Sequence, residues 1–208
     1  MGNLVARPVC YDVELEQAKT CHGMAGVRQQ GGEAMYWYLP WVWTATFWNE
    51  WAGTLPLVAV PMQPEDLDFV ADIHSQAFDR PWSGDEFAAL LSQPGAFGFV
   101  ARRVGAPRNA PAGFVLARLV AGEAEILTIA VSPKFRGRGV GRMLMDQVLQ
   151  HLHQERADSL FLEVDEENAA AIALYRRLRF AEVGRRPAYY SDDRGRKTSA
   201  LVLKRVLG

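Results

Sequence analysis

Cysteine is nearly absent from this chain of 208 residues, with Cys10 and Cys21 the only two. Two cysteines cannot build a disulfide framework, so a reducing cytoplasm is the expected compartment. An excess of one charge is missing as well. The 23 basic residues nearly balance the 24 acidic ones, and a net charge of -1 gives no global attraction to nucleic acid, so none is expected as a partner. No uninterrupted apolar run nears the ~20 residues that span a bilayer. The opening residues MGNLVARPVCYDVELEQAK contain no apolar h-region, so no secretory leader is expected. Gly2 follows the first Met, but Ala6 stands where a myristoylation motif requires Ser or Thr. Metal-ligand spacing is absent too. His151 and His153 point apart on a helix, and Cys10, Cys21 and His22 have no completing pair, so no metal site is expected. What is present is 49% hydrophobic and 23% charged residues, which is the make-up of a globular protein with a sizeable core.

Aromatic residues are unevenly placed. Five of the six tryptophans fall between Trp37 and Trp51. Residues 1–34 are polar, Gly-rich and without periodicity, and Met35 is an alternative start. The segment 35–51, MYWYLPWVWTATFWNEW, suits packing or a partner contact. Its aromatics would also suit a membrane interface, but it lacks the Lys and Arg of such a helix and Pro40 interrupts it. An irregular extension is therefore expected over residues 1–56 and a folded domain over 57–208.

From Leu57 onward the pattern alternates. Leu57–Val60 reads as a strand and Pro64–Phe78 as a helix. Ser83 and Glu86 have capping-box spacing ahead of a second helix. Phe97–Val104 is a strand, and Ala112–Val120 and Glu123–Val131 form a hairpin around Ala121-Gly122. A helix over Gly139–Arg156, a strand over Ser159–Val164 and a helix over Asn168–Leu178 follow. Ala181–Arg185 and Ser199–Val206 close the sheet. This order predicts a mixed α+β sheet rather than a doubly wound one.

Chemistry is written most clearly after the strand Ile126–Val131. There Arg136-Gly137-Arg138-Gly139-Val140-Gly141 opens a helix. Glycines let backbone N–H groups approach a ligand, and a helix N-terminus offers unpaired donors and a positive dipole end. Arginines beside them make a cradle for pyrophosphate. The Walker pattern is absent, and the Rossmann pattern would need glycine where Arg142 stands.

Preceded by Ile129-Ala130-Val131, this loop resembles the acetyl-CoA pyrophosphate loop of the GNAT acetyltransferase superfamily. The block Leu162-Glu163-Val164-Asp165-Glu166-Glu167-Asn168-Ala169-Ala170-Ala171-Ile172-Ala173-Leu174-Tyr175 is similar to the RimI branch, the ribosomal-protein-alanine N-acetyltransferases. The resemblance extends over about residues 57–206. It implies a splayed mixed sheet with helices on both faces, and acetyl-CoA as co-substrate. By resemblance Ile129, Ala130 and Val131 hold the pantetheine arm. Arg136, Gly137, Arg138, Gly139, Val140, Gly141 and Arg142 hold the pyrophosphate, and Asn168 touches the cofactor near its reactive end.

The same resemblance makes Glu163 the general base and Tyr175 the acid that protonates the leaving thiolate. From position alone, Glu163 reads as a strand-end carboxylate paired with a nearby arginine, and Tyr175 as a core residue. The implied acceptor is a protein N-terminal amine, by resemblance the N-terminal alanine of a small-subunit ribosomal protein. Trp82, in Pro81-Trp82-Ser83, and the pair Tyr189-Tyr190 would flank it. A buried packing role suits Trp82 equally. The chain departs from the family at Ser199-Ala200, at Leu203 and in the spacing of Arg185-Arg186-Pro187-Ala188, so acceptor choice is less fixed than the chemistry. A transferase acting on a small amine or a lysine, and a non-catalytic acyl-CoA-binding module, share the same loop.

Overall fold

A computed structural model describes residues 56–105, 110–191 and 197–208. The extension over 1–56, with its Trp-rich segment, lies outside the described residues except for Pro56.

The elements in chain order are β1 (Leu57–Pro61), α1 (Leu67–Ser75), α2 (Gly84–Leu91), β2 (Ala96–Arg103), β3 (Gly113–Val120) and β4 (Glu123–Val131). They continue with α3 (Val140–Gln154), β5 (Ser159–Asp165), α4 (Ala169–Arg177), β6 (Ala181–Ser191) and β7 (Lys197–Val206). One-turn 3-10 helices, Pro64–Asp66 and Pro133–Phe135, precede α1 and follow β4. The seven strands form one sheet in the order β1-β2-β3-β4-β5-β7-β6. All neighbours are antiparallel except β4 and β5, for which α3 is the crossover that parallel pairing requires.

Local chemistry accounts for the boundaries. Ser83 and Glu86 close the predicted capping box: the Ser83 N–H donates to Glu86 Oε2 at 2.8 Å, and the Glu86 N–H donates to Ser83 Oγ at 3.3 Å. These bonds to the charged form hold the Glu86 carboxyl below its ordinary range. The Ala121-Gly122 turn carries positive φ at both residues, 51° and 84°, as a tight hairpin requires. The last two strands run further than the pattern predicts. β6 continues to Ser191 through Arg186 and Pro187, and polar edge positions conceal its alternation. Its register with β7 shifts between Arg186 and Tyr190, which accommodates the proline.

Helices cover both faces of the sheet, as expected. Cross-strand partners share a face. Phe114, opposite Val100, meets His74 of α1 and Phe87 of α2. Phe97 and Phe99 point the other way and meet His151 of α3. The core is therefore double, with Phe87 and Phe114 on one side and Leu144, Met145 and Leu152 of α3 on the other, all fully buried.

Two features shape the middle of the sheet. β4 and β5 pair only over Glu123–Glu125 and Ser159–Phe161 and then separate. Just beyond, Leu116 faces Thr128 while Ala117 faces Ile126, so Leu127 is an extra residue in β4. Such a bulge kinks the strand where its second partner leaves.

The turn before α1 is fixed to the sheet by Asp66, whose carboxylate pairs with Arg102 of β2 and accepts the Gln63 N–H at 3.0 Å. The two side chains are 6% and 13% exposed, so the pair is nearly dry. Removing one partner of such a pair strands the other. Asp66→Ala is expected to lower stability by about 3 kcal/mol in urea unfolding. Glu125→Ala breaks the more exposed pair with Arg118 and should cost under about 1 kcal/mol in the same measurement.

Candidate active site

The strand-to-helix connection after β4 is built around two left-handed residues, Gly137 at φ 74° and Gly139 at φ 80°. A Cβ at either would meet nothing within 4 Å, so packing does not exclude a side chain there. What asks for glycine is the backbone conformation, and the outcome is a bare loop open to a ligand. Gly139 is the N-cap of α3, and no side chain caps that helix. Its first-turn N–H groups and dipole therefore point at the bare loop.

Three exposed arginines surround it. The Arg136 Nε donates to the Val131 carbonyl at 3.2 Å. The Arg138 guanidinium sits 5.9 Å over the Phe135 ring, and Arg142 pairs with Asp146 at 3.3 Å. Backbone donors, a positive helix end and guanidinium groups form the donor set that a pyrophosphate needs.

Ile129, Ala130 and Val131 pair with β3 on one edge, at Val115, Phe114 and Gly113. Their other edge lies past the last β4–β5 pair. A Cβ on Gly141 would lie 3.5 Å from Leu174 and 3.8 Å from Val131, so the start of α3 rests against both α4 and the end of β4. Val131 faces Gly113, one position off Phe114, which places this contact on the α3 side of the sheet.

Glu163 stands on the opposite face. Glu125 pairs with Arg118, which shares a face with Leu116 and Phe114, and Phe161 pairs with Glu125. Two residues on, Glu163 therefore points to the side of α1 and α2. Its Oε1 lies 2.9 Å from Arg186 Nε, and its side chain is 16% exposed against 58% for the arginine. The pairing expected from position alone is thus present, at the mouth of the gap rather than in the core.

Tyr175 comes from α4, on the other side. It is 1% exposed and packs edge-on to Phe180 at 5.8 Å. Burial raises the phenol well above its ordinary value, so it keeps its proton at any working pH. Asn168 is the N-cap of α4, its Oδ1 accepting the Ala171 N–H at 3.2 Å. The helix so begins one residue past the expected start, with Asn168 as its cap.

Trp82 is half-buried, and its backbone N–H donates to His74 Nδ1 at 3.0 Å. Tyr189 and Tyr190 belong to β6 by backbone, with Tyr190 opposite Thr198, and their side chains lie outside the described residues. Sequence reasoning missed His74, whose apolar neighbours hide it within a helical stripe. It also missed the acidic clip after β5. Asp165 Oδ2 accepts the Thr198 hydroxyl at 2.8 Å, and Glu166 accepts the Ser199 N–H at 2.9 Å and pairs with Arg185 at 3.0 Å. Among the described residues no group of three or more His, Cys, Asp or Glu could hold a metal, and no helix is long and apolar enough to cross a membrane.

Residues 67–180 match the model of the acetyltransferase (GNAT) family. A [ribosomal protein bS18]-alanine N-acetyltransferase of Escherichia coli is 32% identical over 141 residues, covering 68% of this chain and 92% of that protein. The N-alpha-acetyltransferase RimI of Mycobacterium tuberculosis is 35% identical over 142 residues, covering 67% and 87%. An uncharacterized protein of Mycobacterium leprae is 37% identical over 142 residues, and the match spans only 38% of its length. The crystal structure of the Escherichia coli ribosomal-protein-S18-alanine N-acetyltransferase superposes with a TM-score of 0.67 at 29% identity, covering 74% of this chain and 95% of that one.

His74 carries a pH signature. Burial lowers its pKa from 6.5 to about 4, so the unfolded chain takes up a proton below pH 6.5 that the folded chain refuses until about 4. Stability is expected to fall across that window by roughly 3 kcal/mol as pH drops. Urea unfolding at intervals from pH 7 to 4 reads this, and His74→Phe should remove that share of the slope.

Proposed function

Because the chain belongs to the acetyltransferase (GNAT) family, as an acetyl-CoA-dependent N-acetyltransferase, we propose that it acetylates a protein N-terminal amine, by direct transfer in a ternary complex. The observation that carries this reading is the parting of β4 and β5, with a bare phosphate-type loop and α4 on one face and Glu163 on the other. We assign catalysis to residues 57–208, with residues 1–56 an appended extension.

The bare loop of Gly137 and Gly139, the N-terminus of α3, and Arg136, Arg138 and Arg142 would hold the pyrophosphate. The open edge at Ile129–Val131 would pair with the pantetheine arm as a strand edge pairs with a peptide. Bound there, acetyl-CoA supplies an acetyl group activated as a thioester.

The acceptor approaches from the side of α1 and α2, where Glu163 stands. An amine attacks only when neutral. An α-amino group has a pKa of ~7.7–8.0 and a lysine ~10.4, so the first needs about 3 kcal/mol less help at neutral pH. A carboxylate such as Glu163, acting directly or through one water, is sufficient for an α-amine. Arg186, with its Nε 2.9 Å from Oε1, aims that carboxylate. Tyr175 holds a proton that burial makes hard to lose, which suits a hydrogen-bond donor to the leaving sulfur. The Escherichia coli and Mycobacterium tuberculosis relatives are named for protein N-terminal acetylation. The N-terminal alanine of a small-subunit ribosomal protein is accordingly the proposed acceptor, flanked by Trp82, Tyr189 and Tyr190.

Turnover of acetyl-CoA, followed by free thiol, is expected with a peptide that begins with that alanine and not with the same peptide N-terminally blocked. Glu163→Gln and Tyr175→Phe should each lower kcat on the order of 100-fold. Equal turnover of the blocked peptide would move the acceptor to a side chain. CoA binding without turnover would favour a sensor. Gly139→Ala should raise the KM for acetyl-CoA at least tenfold while leaving the KM for peptide within twofold.

A further inference from the structure

His74 is fully buried at the end of α1, yet it is polar. Its ring stacks nearly parallel on Phe78, at 4.0 Å and 14°, and on Trp82, at 5.0 Å and 17°. Phe87 of α2 meets both His74 and Trp82 edge-on at 5.4 Å. The imidazole also makes a directional bond, with its Nδ1 accepting the Trp82 N–H at 3.0 Å. An accepting Nδ1 in a neutral ring places the proton on Nε2. That atom is buried with no hydrogen-bond partner among the described residues.

A side chain kept only for packing would not carry that cost, since Phe would fill the stack. Phe would leave the Trp82 N–H without its acceptor. Asn would supply an acceptor and lose the stack. Only a neutral imidazole gives Trp82 both a flat neighbour for its indole and an acceptor for its backbone. Burial keeps the ring neutral down to a pKa of about 4, so the acceptor persists at working pH.

The stack lies on a chosen side of the sheet. Phe114, which meets His74 and Phe87, shares its face with Glu125, Phe161 and Glu163. Trp82 is the half-buried member of the cluster, where His74, Phe78, Phe87 and Phe114 are buried.

We propose that His74 is a positioning residue for the acceptor. It locks the Trp82 indole as a rigid wall on the face of the sheet that carries Glu163, against which the side chain of the acceptor's first residue is measured. This rests on the reading of the α1 and α2 side as the acceptor side. A fixed wall excludes a bulky first residue, whereas a loose indole swings aside and admits one.

The test is steady-state kinetics on the full chain with acetyl-CoA and two peptides that differ only in beginning with Ala or Leu. His74→Phe, His74→Asn and Trp82→Ala are compared with the parent, after circular dichroism has shown each to be folded. His74→Phe is expected to raise the KM for the Ala peptide about tenfold and to cut the Ala-to-Leu ratio of kcat/KM at least threefold. The KM for acetyl-CoA should stay within twofold. His74→Asn, which keeps an acceptor, should fall between parent and His74→Phe, and it carries the test alone if the Phe variant does not fold. An unchanged peptide KM and ratio in the His74 variants, with both altered in Trp82→Ala, would overturn the role of His74 and leave the acceptor side standing. No effect of Trp82→Ala on either would overturn the acceptor side and the proposal with it. An equal rise in both KM values would reduce His74 to a packing residue.

Discussion

The chain's arrangement depends on a hydrogen-bond ladder that stops early. β4 and β5 exchange bonds over three residue pairs and then diverge, leaving the far edge of β4 without a strand partner among the described residues. Backbone groups on such an edge seek partners, and a ligand with an extended amide arm can supply them. The bulge at Leu127 bends β4 just past the point of divergence. Helices α3 and α4 lie on one face of the sheet and α1 and α2 on the other. The site is consequently a passage through the sheet. The two groups to which proton transfer is assigned in the proposed reaction lie on opposite sides of the sheet: Glu163 on one, α4 with Tyr175 on the other.

Much of this was legible in the residues. The period of the apolar pattern located each described α-helix and strand between Leu57 and Val206, because each element buries one face and polar residues mark the other. The Ser83–Glu86 box and the glycine loop were readable for the same reason, since both depend on backbone chemistry that few residue types can supply. The length of β6 was hidden, because Arg185, Arg186 and Pro187 obey the demands of an exposed edge and not those of a core. His74 was hidden in another way. On a helix whose other inward residues are Val70 and Ile73 it looks like an interruption of the stripe, and only the fold brings the Trp82 N–H to its ring.

Glu163 illustrates how two readings of one residue can both hold. It is a strand-end carboxylate paired with an arginine, as its position suggests, and it also lines the gap. An ion pair with a partner that is 58% exposed is weak in water and yields readily to a competing positive group.

The clip at the end of β5 joins three elements of the fold. Asp165 and Glu166 tie the end of β5 to Thr198, Ser199 and Arg185, and the next turn delivers Asn168 as the cap of α4. The β6–β7 arm and the first turn of α4 are thereby linked through two successive carboxylates. The end of β5, the β6–β7 arm and the first turn of α4 therefore share one set of polar ties, so a substitution at Asp165 or Glu166 would loosen strand and helix together.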